Sequence, residues 1–331
     1  MGTGRGRKPP SLGMSSQNPE LAGEKMVHQH RSGAESGLVR QQAAAELRGS
    51  VLGYRGFRLG PRGVRRRLMV PDGVVKVMWG FGGPLRVVDA LDSGRAVTVD
   101  SLASGVRTSA VVGEHRGRLE GITVLLTPLA AYRVFGVPMD EWAELSLAPD
   151  DLVEGGTGSL VERLAEAPDW AGRFALLDRL LSERLDRGPA VSDEVAWCCA
   201  ELRRTAGRVR VEELAVATGW SRRHLERRFR QQVGPSPKSY AQVLRLQHTL
   251  RRQEAGLPWS RVAAEAGFHD ESHFDRTFKR MVGCTPGQFR ADRVAGSRTD
   301  PRDFLPGQVT SVLMDDAGPG VPRPHGRAAA G

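Results

Sequence analysis

The sequence predicts an α+β protein, with a small antiparallel β sheet or barrel and helices in its N-terminal part and an all-α double helix-turn-helix domain C-terminally. Three observations predict this. One pattern of small, glycine and aromatic residues occurs twice between residues 208 and 293, at helical spacing. Residues 51 to about 126 carry short β-branched runs broken by turn residues, and from Pro128 onward the apolar residues change to a helical period.

Taken in order, residues 1–48 are rich in Gly, Ser, Gln and charge and are expected to be a disordered extension, with Met14 and Met26 as alternative starts. His28 and His30 there lack the Cys or carboxylate companions of a metal shell and read as solvated, so no metal or other cofactor is expected. Strands are expected at Val74–Phe81, Leu85–Leu91, Ala96–Leu102, Val106–Val112 and Leu119–Leu126. Pro71-Asp72-Gly73, Gly82-Gly83-Pro84 and Asp92-Ser93-Gly94 supply turns. Helices are expected near Pro128–Phe135, Thr157–Glu166, Asp169–Asp186 and Val191–Ala206, the last stopped by Gly207. That glycine is the expected boundary between a domain at 51–207 and another at 208–293, and the Pro/Gly-rich residues 294–331 are expected to be a disordered tail.

The duplicated pattern runs Leu214-Ala215, Gly219, Leu225, Phe229, Gly234, Pro237, Tyr240, then Val262-Ala263, Gly267, Phe274, Phe278, Gly283, Pro286, Phe289. The offset is 48 residues before the turn and 49 after it, so the second copy has one residue inserted in the turn. Ala215 and Ala263 are small where two helices cross, and Gly219 and Gly267 permit the positive φ that ends the first helix. Leu225, Phe229 and Val233, like Phe274, Phe278 and Val282, form one apolar stripe on each second helix. At about 100° per residue, Arg223, Arg227 and Arg230 lie opposite the first stripe, and Ser272, Arg276 and Lys279 opposite the second. Ser236-Pro237 starts an intervening helix that should reach about Glu254, roughly 26 Å long at 1.5 Å per residue. Such a spacer would hold two recognition helices about one DNA turn, roughly 34 Å, apart.

These residues, from Leu214-Ala215 through Gly219-Trp220-Ser221, Leu225 to Phe229 and Gly234 to Pro237, and from Ala263 through Ser272 to Arg280 and Gly283 to Pro286, resemble the DNA-binding domain of AraC/XylS-type bacterial transcription regulators. The resemblance covers about a quarter of the chain. It implies base readers at Arg223, Glu226, Arg227, Glu271, Ser272, His273 and Arg276. Ser221, Arg222, Lys238 and Lys279 are expected to hold phosphates. Upstream, Val70 to Trp79, Leu126 to Tyr132 and Phe135-Gly136-Val137-Pro138 more loosely resemble the sensor or dimerisation module of one branch of such regulators. That branch often has Cys where this chain has Val74, so thiol sensing does not carry over. Trp79 and Tyr132 are the candidate lining of an effector pocket.

Charge placement agrees. The chain's net charge is +10, yet residues 208–293 hold 17 basic and 9 acidic side chains, whereas residues 51–207 hold 20 and 21. A neutral body with a cationic end is the footprint of a phosphate-binding surface. Catalytic constellations are missing from 51–207, where His115 is the one histidine and no cysteine precedes Cys198. The sequence-level expectation is therefore a non-enzymatic, cytoplasmic, nucleoid-associated regulator. Its expected partners are double-stranded promoter DNA and an unknown small-molecule effector, with RNA polymerase and a second copy of the chain as protein candidates and no membrane contact. Two alternatives remain open at this level: a sequence-tolerant architectural DNA binder, and a repair protein accepting alkyl groups at Cys198, Cys199 or Cys284.

Overall fold

The computed structural model describes residues 28–31, 37–60, 63–152, 158–268, 270–295 and 310–314. Its N-terminal part is a sandwich of two antiparallel sheets. The first contains β1 (His28–Arg31), β2 (Gly37–Gln41), β3 (Val51–Leu59), β10 (Leu119–Leu126), β5 (Val75–Gly82), β8 (Leu102–Ser104) and β11 (Ser146–Leu147), in that spatial order. The second runs β12 (Ser311–Met314), β4 (Val64–Met69), β9 (Val111–Arg116), β6 (Leu85–Asp89) and β7 (Ala96–Val99).

The first sheet is covered on both sides, which is why all eight residues of β10 are buried. Toward the second sheet it presents Phe57, Met78, Leu102 and Leu119, which pack with Val87 and Val111. On its other face Tyr54, Val75, Val77, Ile122 and Val124 join a larger core with α1 (Pro128–Phe135), α2 (Gly158–Glu166) and α3 (Trp170–Arg187). Local chemistry sets the ends of these helices. Thr127 Oγ1 accepts from Ala130 N at 3.3 Å and Gly136 closes α1 with φ 70°; Asp169 caps α3 through Gly172 N at 2.7 Å.

The structure corrects three sequence expectations. Residues 37–48 are not a disordered extension: β2 pairs with β3, and Val39, Ala43 and Leu47 enter the core. β1 adds to the same sheet by pairing with β2, while residues 1–27 and 32–36 lie outside the described residues. Within the tail expected to be disordered, β12 pairs with β4, and buried Arg293 ties it down by donating to Ser311 O at 2.7 Å and pairing with Glu254 at 2.5 Å. The rest of the tail, at 296–309 and 315–331, is outside the described residues. β3 and β4 are strands that the sequence pattern does not single out; β4 reads Val-Arg-Arg-Arg-Leu-Met, without the apolar alternation that marks a strand.

The third correction concerns the boundary at Gly207. α4 (Asp193–Arg204) buries Val195, Cys198, Cys199 and Leu202 and packs on α6 (Arg222–Val233) and α7 (Pro237–Glu254), so it belongs with the C-terminal helices. Gly207 itself, at φ +75°, is a close crossing: a Cβ there would stand 2.1 Å from Ala241 O. Gly207→Ala is therefore expected to lower stability by about 1–3 kcal/mol, measured by denaturant unfolding, because strained φ and a backbone clash act together. An unchanged midpoint would show that the crossing can relax.

Candidate nucleic-acid interface

Two helix-turn-helix units are built as the spacing predicts. In the first, α5 (Val211–Thr218) ends at Gly219, φ 71°, and Ser221 Oγ caps α6 by accepting from His224 N at 3.3 Å. In the second, α8 (Trp259–Glu265) leads through Gly267, φ +76°, to Asp270, which caps α9 (Glu271–Val282) through His273 N at 2.6 Å. The extra residue of the second copy lies in this turn. Leu225, Phe229 and Val233 are fully buried, as are Phe274, Phe278 and Val282. α7 joins the units, capped by Ser236 and ended at Gly256 with φ +93°. Its 18 residues span about 27 Å at about 1.5 Å each.

Opposite the stripes, Arg223, Arg227 and Arg230 are exposed on α6, and Glu271, Ser272, His273, Arg276 and Lys279 on α9. Ser221, Arg222 and Lys238 are exposed beside them, while Glu226 is half-buried. Glu226 braces a neighbour: it accepts from Arg222 Nε at 3.0 Å, and Arg222 also pairs with Glu212 at 3.0 Å. The hydrogen bond to Glu226 and the two carboxylate charges raise the guanidinium pKa.

A repeated positioning contact accompanies these residues and is missing from the sequence expectations. Trp220 meets the His224 ring edge-on with centroids 4.5 Å apart, and His224 Nδ1 lies 3.3 Å from Arg227 Nη2. In the second unit Phe268 meets His273 the same way at 5.6 Å. His224 and His273 occupy equivalent places in the duplicated pattern, so the signal was present in the spacing.

A second feature had no sequence signal. The short 3₁₀ turn Met139–Glu141 packs against α6, and Asp140 lines a surface recess with Ser221, Arg223, His224, Glu226, Arg227 and Arg230. It shares that recess with the cations Arg223, Arg227 and Arg230. Asp140→Asn is expected to tighten DNA binding about two- to fivefold at low ionic strength and less at high salt. A titration of labelled duplex at two salt concentrations checks this, and equal affinity would place Asp140 outside the bound field.

Trp79 and Tyr132, the candidate effector residues, are buried in the core on the helical side of the first sheet. Strand alternation explains the placement of Trp79: Lys76 and Met78 of β5 face the intersheet cavity, so Trp79 faces the opposite way. Neither residue lines that cavity. Burial pushes the thiols of Cys198, Cys199 and Cys284 up to about 12, leaving them protonated near neutrality. Among the described residues no group of His, Cys, Asp or Glu could hold a metal ion, and no helix is long and apolar enough to cross a membrane.

Residues 214–292 match the helix-turn-helix domain family. The C-terminal unit is a helix-turn-helix domain. The HTH-type transcriptional regulator MtrA of Neisseria gonorrhoeae is 36% identical over 83 residues, covering 25% of this chain and 28% of its own. A putative AraC-like transcription regulator of Streptomyces antibioticus is 37% identical over 81 residues, covering 24% of this chain and 27% of its own. The probable transcription factor PqrA of Proteus vulgaris is 28% identical over 116 residues, covering 35% of this chain and 92% of its own. The match thus spans less than a third of MtrA and of the Streptomyces relative, all of it attributable to a domain rather than a whole protein. Among solved structures, ToxT of Vibrio cholerae aligns over 72% of this chain and 97% of its own at 10% identity, with a TM-score of 0.39, below what establishes a common fold.

Proposed function

We propose that the protein is a sequence-specific transcription regulator that reads promoter DNA with α6 and α9 and is controlled by a small molecule held in its N-terminal sandwich. The observation that carries this reading is the pair of exposed, basic second helices joined by one capped, uninterrupted helix. Arg223, Glu226 and Arg227 would meet base edges in one major groove, and Glu271, Ser272, His273 and Arg276 in the next; Ser221, Arg222, Lys238 and Lys279 would hold the backbone. Promoter occupancy would place the protein at the nucleoid beside RNA polymerase. Self-association is a separate question, answered by sedimentation of the full chain.

Directed contacts between the two parts give control by the sandwich a mechanical route. The Pro71-Asp72-Gly73 turn docks on α7: Gln247 Nε2 donates to Pro71 O at 2.7 Å, and Gly73, at φ +73°, faces the Tyr240 ring. The second unit is attached independently, through Ala110 N donating to Met281 O at 2.8 Å. A change in sandwich geometry would therefore reach both reading units.

Selection of randomised duplex DNA on the full chain tests the reading. Two short enriched blocks about one helical turn apart are expected; no enrichment would leave only sequence-tolerant binding. On the selected site, Arg227→Ala is expected to cost about 1–3 kcal/mol and relax preference at one position. An equal loss on random duplex would make Arg227 a phosphate contact.

A further inference from the structure

α7 carries a stripe of cations of its own. Lys238, Arg245 and Arg252 recur at every seventh residue, and at about 100° per residue each falls within about 20° of the last around the helix. The stripe is turned away from the sandwich, since Gln247, which holds the Pro71 turn, lies about 160° around α7 from Arg245. It runs between the two helix-turn-helix units. Glu212 is held below the usual carboxylate range by its own backbone amide, Arg222, Arg210 and Lys238, which puts Lys238 within electrostatic reach of the Glu212–Arg222 pair at the N-terminal end of α6. Arg245 lines a recess of about 100 Å³ between α7 and α9 together with Gln242, Gly267, His273, Thr277 and Arg280, so the stripe opens beside the first turn of α9.

The three cations differ in what they hold. Arg252 donates twice to Glu265, at 3.0 and 2.9 Å, and Lys238 is exposed. Arg245 is half-buried, yet its guanidinium makes no ion pair or hydrogen bond among the described residues, and its Nε is buried without a partner there. No carboxylate lines the recess, and burial alone pushes the Arg245 pKa down.

A partly desolvated guanidinium without an acceptor costs free energy that a bound oxyanion offsets. A phosphodiester fits the planar fork with its charge and its two unesterified oxygens, and Gln242 and Thr277 stand beside it as neutral donors. Two units entering successive major grooves on one face of a duplex leave the intervening minor groove turned toward the helix that joins them. Resting on the reading of α6 and α9 as DNA-reading helices, we propose that Arg245 grips a backbone phosphate of the DNA between the two read blocks, making α7 a third DNA contact as well as a spacer. Such a contact carries no sequence information; it fixes the register of the two readers on the duplex.

Binding of the full chain to labelled duplex at several salt concentrations tests the proposal, with Arg245→Met, which keeps the apolar stem, and Arg245→Lys, which keeps the charge. Arg245→Met is expected to weaken binding about three- to tenfold on selected and random duplex alike and to make the log–log salt slope shallower by about 0.9, and Arg245→Lys to restore most of the slope. Neutral methylphosphonate linkages, placed one at a time between the two blocks of the selected duplex, are expected to include one that weakens the native protein and leaves Arg245→Met unchanged. A native slope in folded Arg245→Met, or linkages that weaken both proteins equally, would overturn the proposal. Should Arg245→Met not fold, the linkage scan on the native protein decides, and no sensitive linkage between the blocks would overturn it. A selected site with an unchanged slope removes the α7 contact alone; a shallower slope on random duplex without any selected site keeps that contact and removes the sequence-reading function instead.

Discussion

Raising monovalent salt from about 50 to about 200 mM is expected to weaken DNA binding about 10³-fold if roughly six phosphates are neutralised, since log K falls by about 0.9 per phosphate for each tenfold of salt. Six cations would release condensed counterions, Arg222, Lys238 and Lys279 at the backbone and Arg223, Arg227 and Arg276 at base edges in the groove, all exposed on or beside the two second helices. The effect is this large because each contact releases a condensed counterion, an entropic gain that salt cancels. Arg222 is the weakest of the six, since binding must compete with Glu212 and Glu226 for its guanidinium. Affinities measured on one selected duplex at several salt concentrations give the slope directly. A log–log slope near −1 would mean that one or two cations meet phosphate and that the α6–α7–α9 surface is not the interface. Salt dependence alone does not separate specific from sequence-tolerant binding, so the same series on random duplex belongs with it.

Phe278→Ala is expected to destabilise the protein by about 3–5 kcal/mol, a large share of the roughly 5–15 kcal/mol available to a domain. Phe278 is 1% exposed at the centre of an aromatic cluster, with ring centroids 5.5 Å from Trp259, 5.7 Å from Phe274 and 5.6 Å from Phe289. Removing it leaves a void between α8, α9 and α10 (Pro286–Ala295). The same core includes Leu68, Val70 and Val312 of the sandwich side, so the loss should also loosen the second unit from the sheet. Denaturant unfolding followed by Trp fluorescence reports the cost, and on the proposed reading the variant should lose contacts made through α9 before those made through α6. A cost below about 1 kcal/mol would show that the cluster repacks around the gap.

The two predictions draw on different levels of legibility. The exposed cations were readable from helical phase alone: once Leu225, Phe229 and Val233 are the buried stripe, Arg223 and Arg227 must lie on the other side. Caps such as Ser236 were readable for a related reason, because Ser221, Ser236 and Asp270 act on amide groups only two or three residues ahead. The sandwich was less so. Trp79 and Tyr132 look like pocket residues by type, but strand parity puts Trp79 on the helical face and leaves Arg65, His115 and Gly113 at the cavity.

By itself, then, the sequence determined the duplicated helical unit, its turn glycines, the length of α7 and the location of the positive charge, because each depends on residues within a few turns of one another. Only the tertiary structure decided that residues 311–314 return to β4, that α4 packs with α6 and α7, that Asp140 faces α6, and that an arginine-lined cavity lies between the sheets. Those outcomes depend on pairings between segments far apart in the chain. Their energy comes from burial and register across the fold, which no local pattern in the chain records.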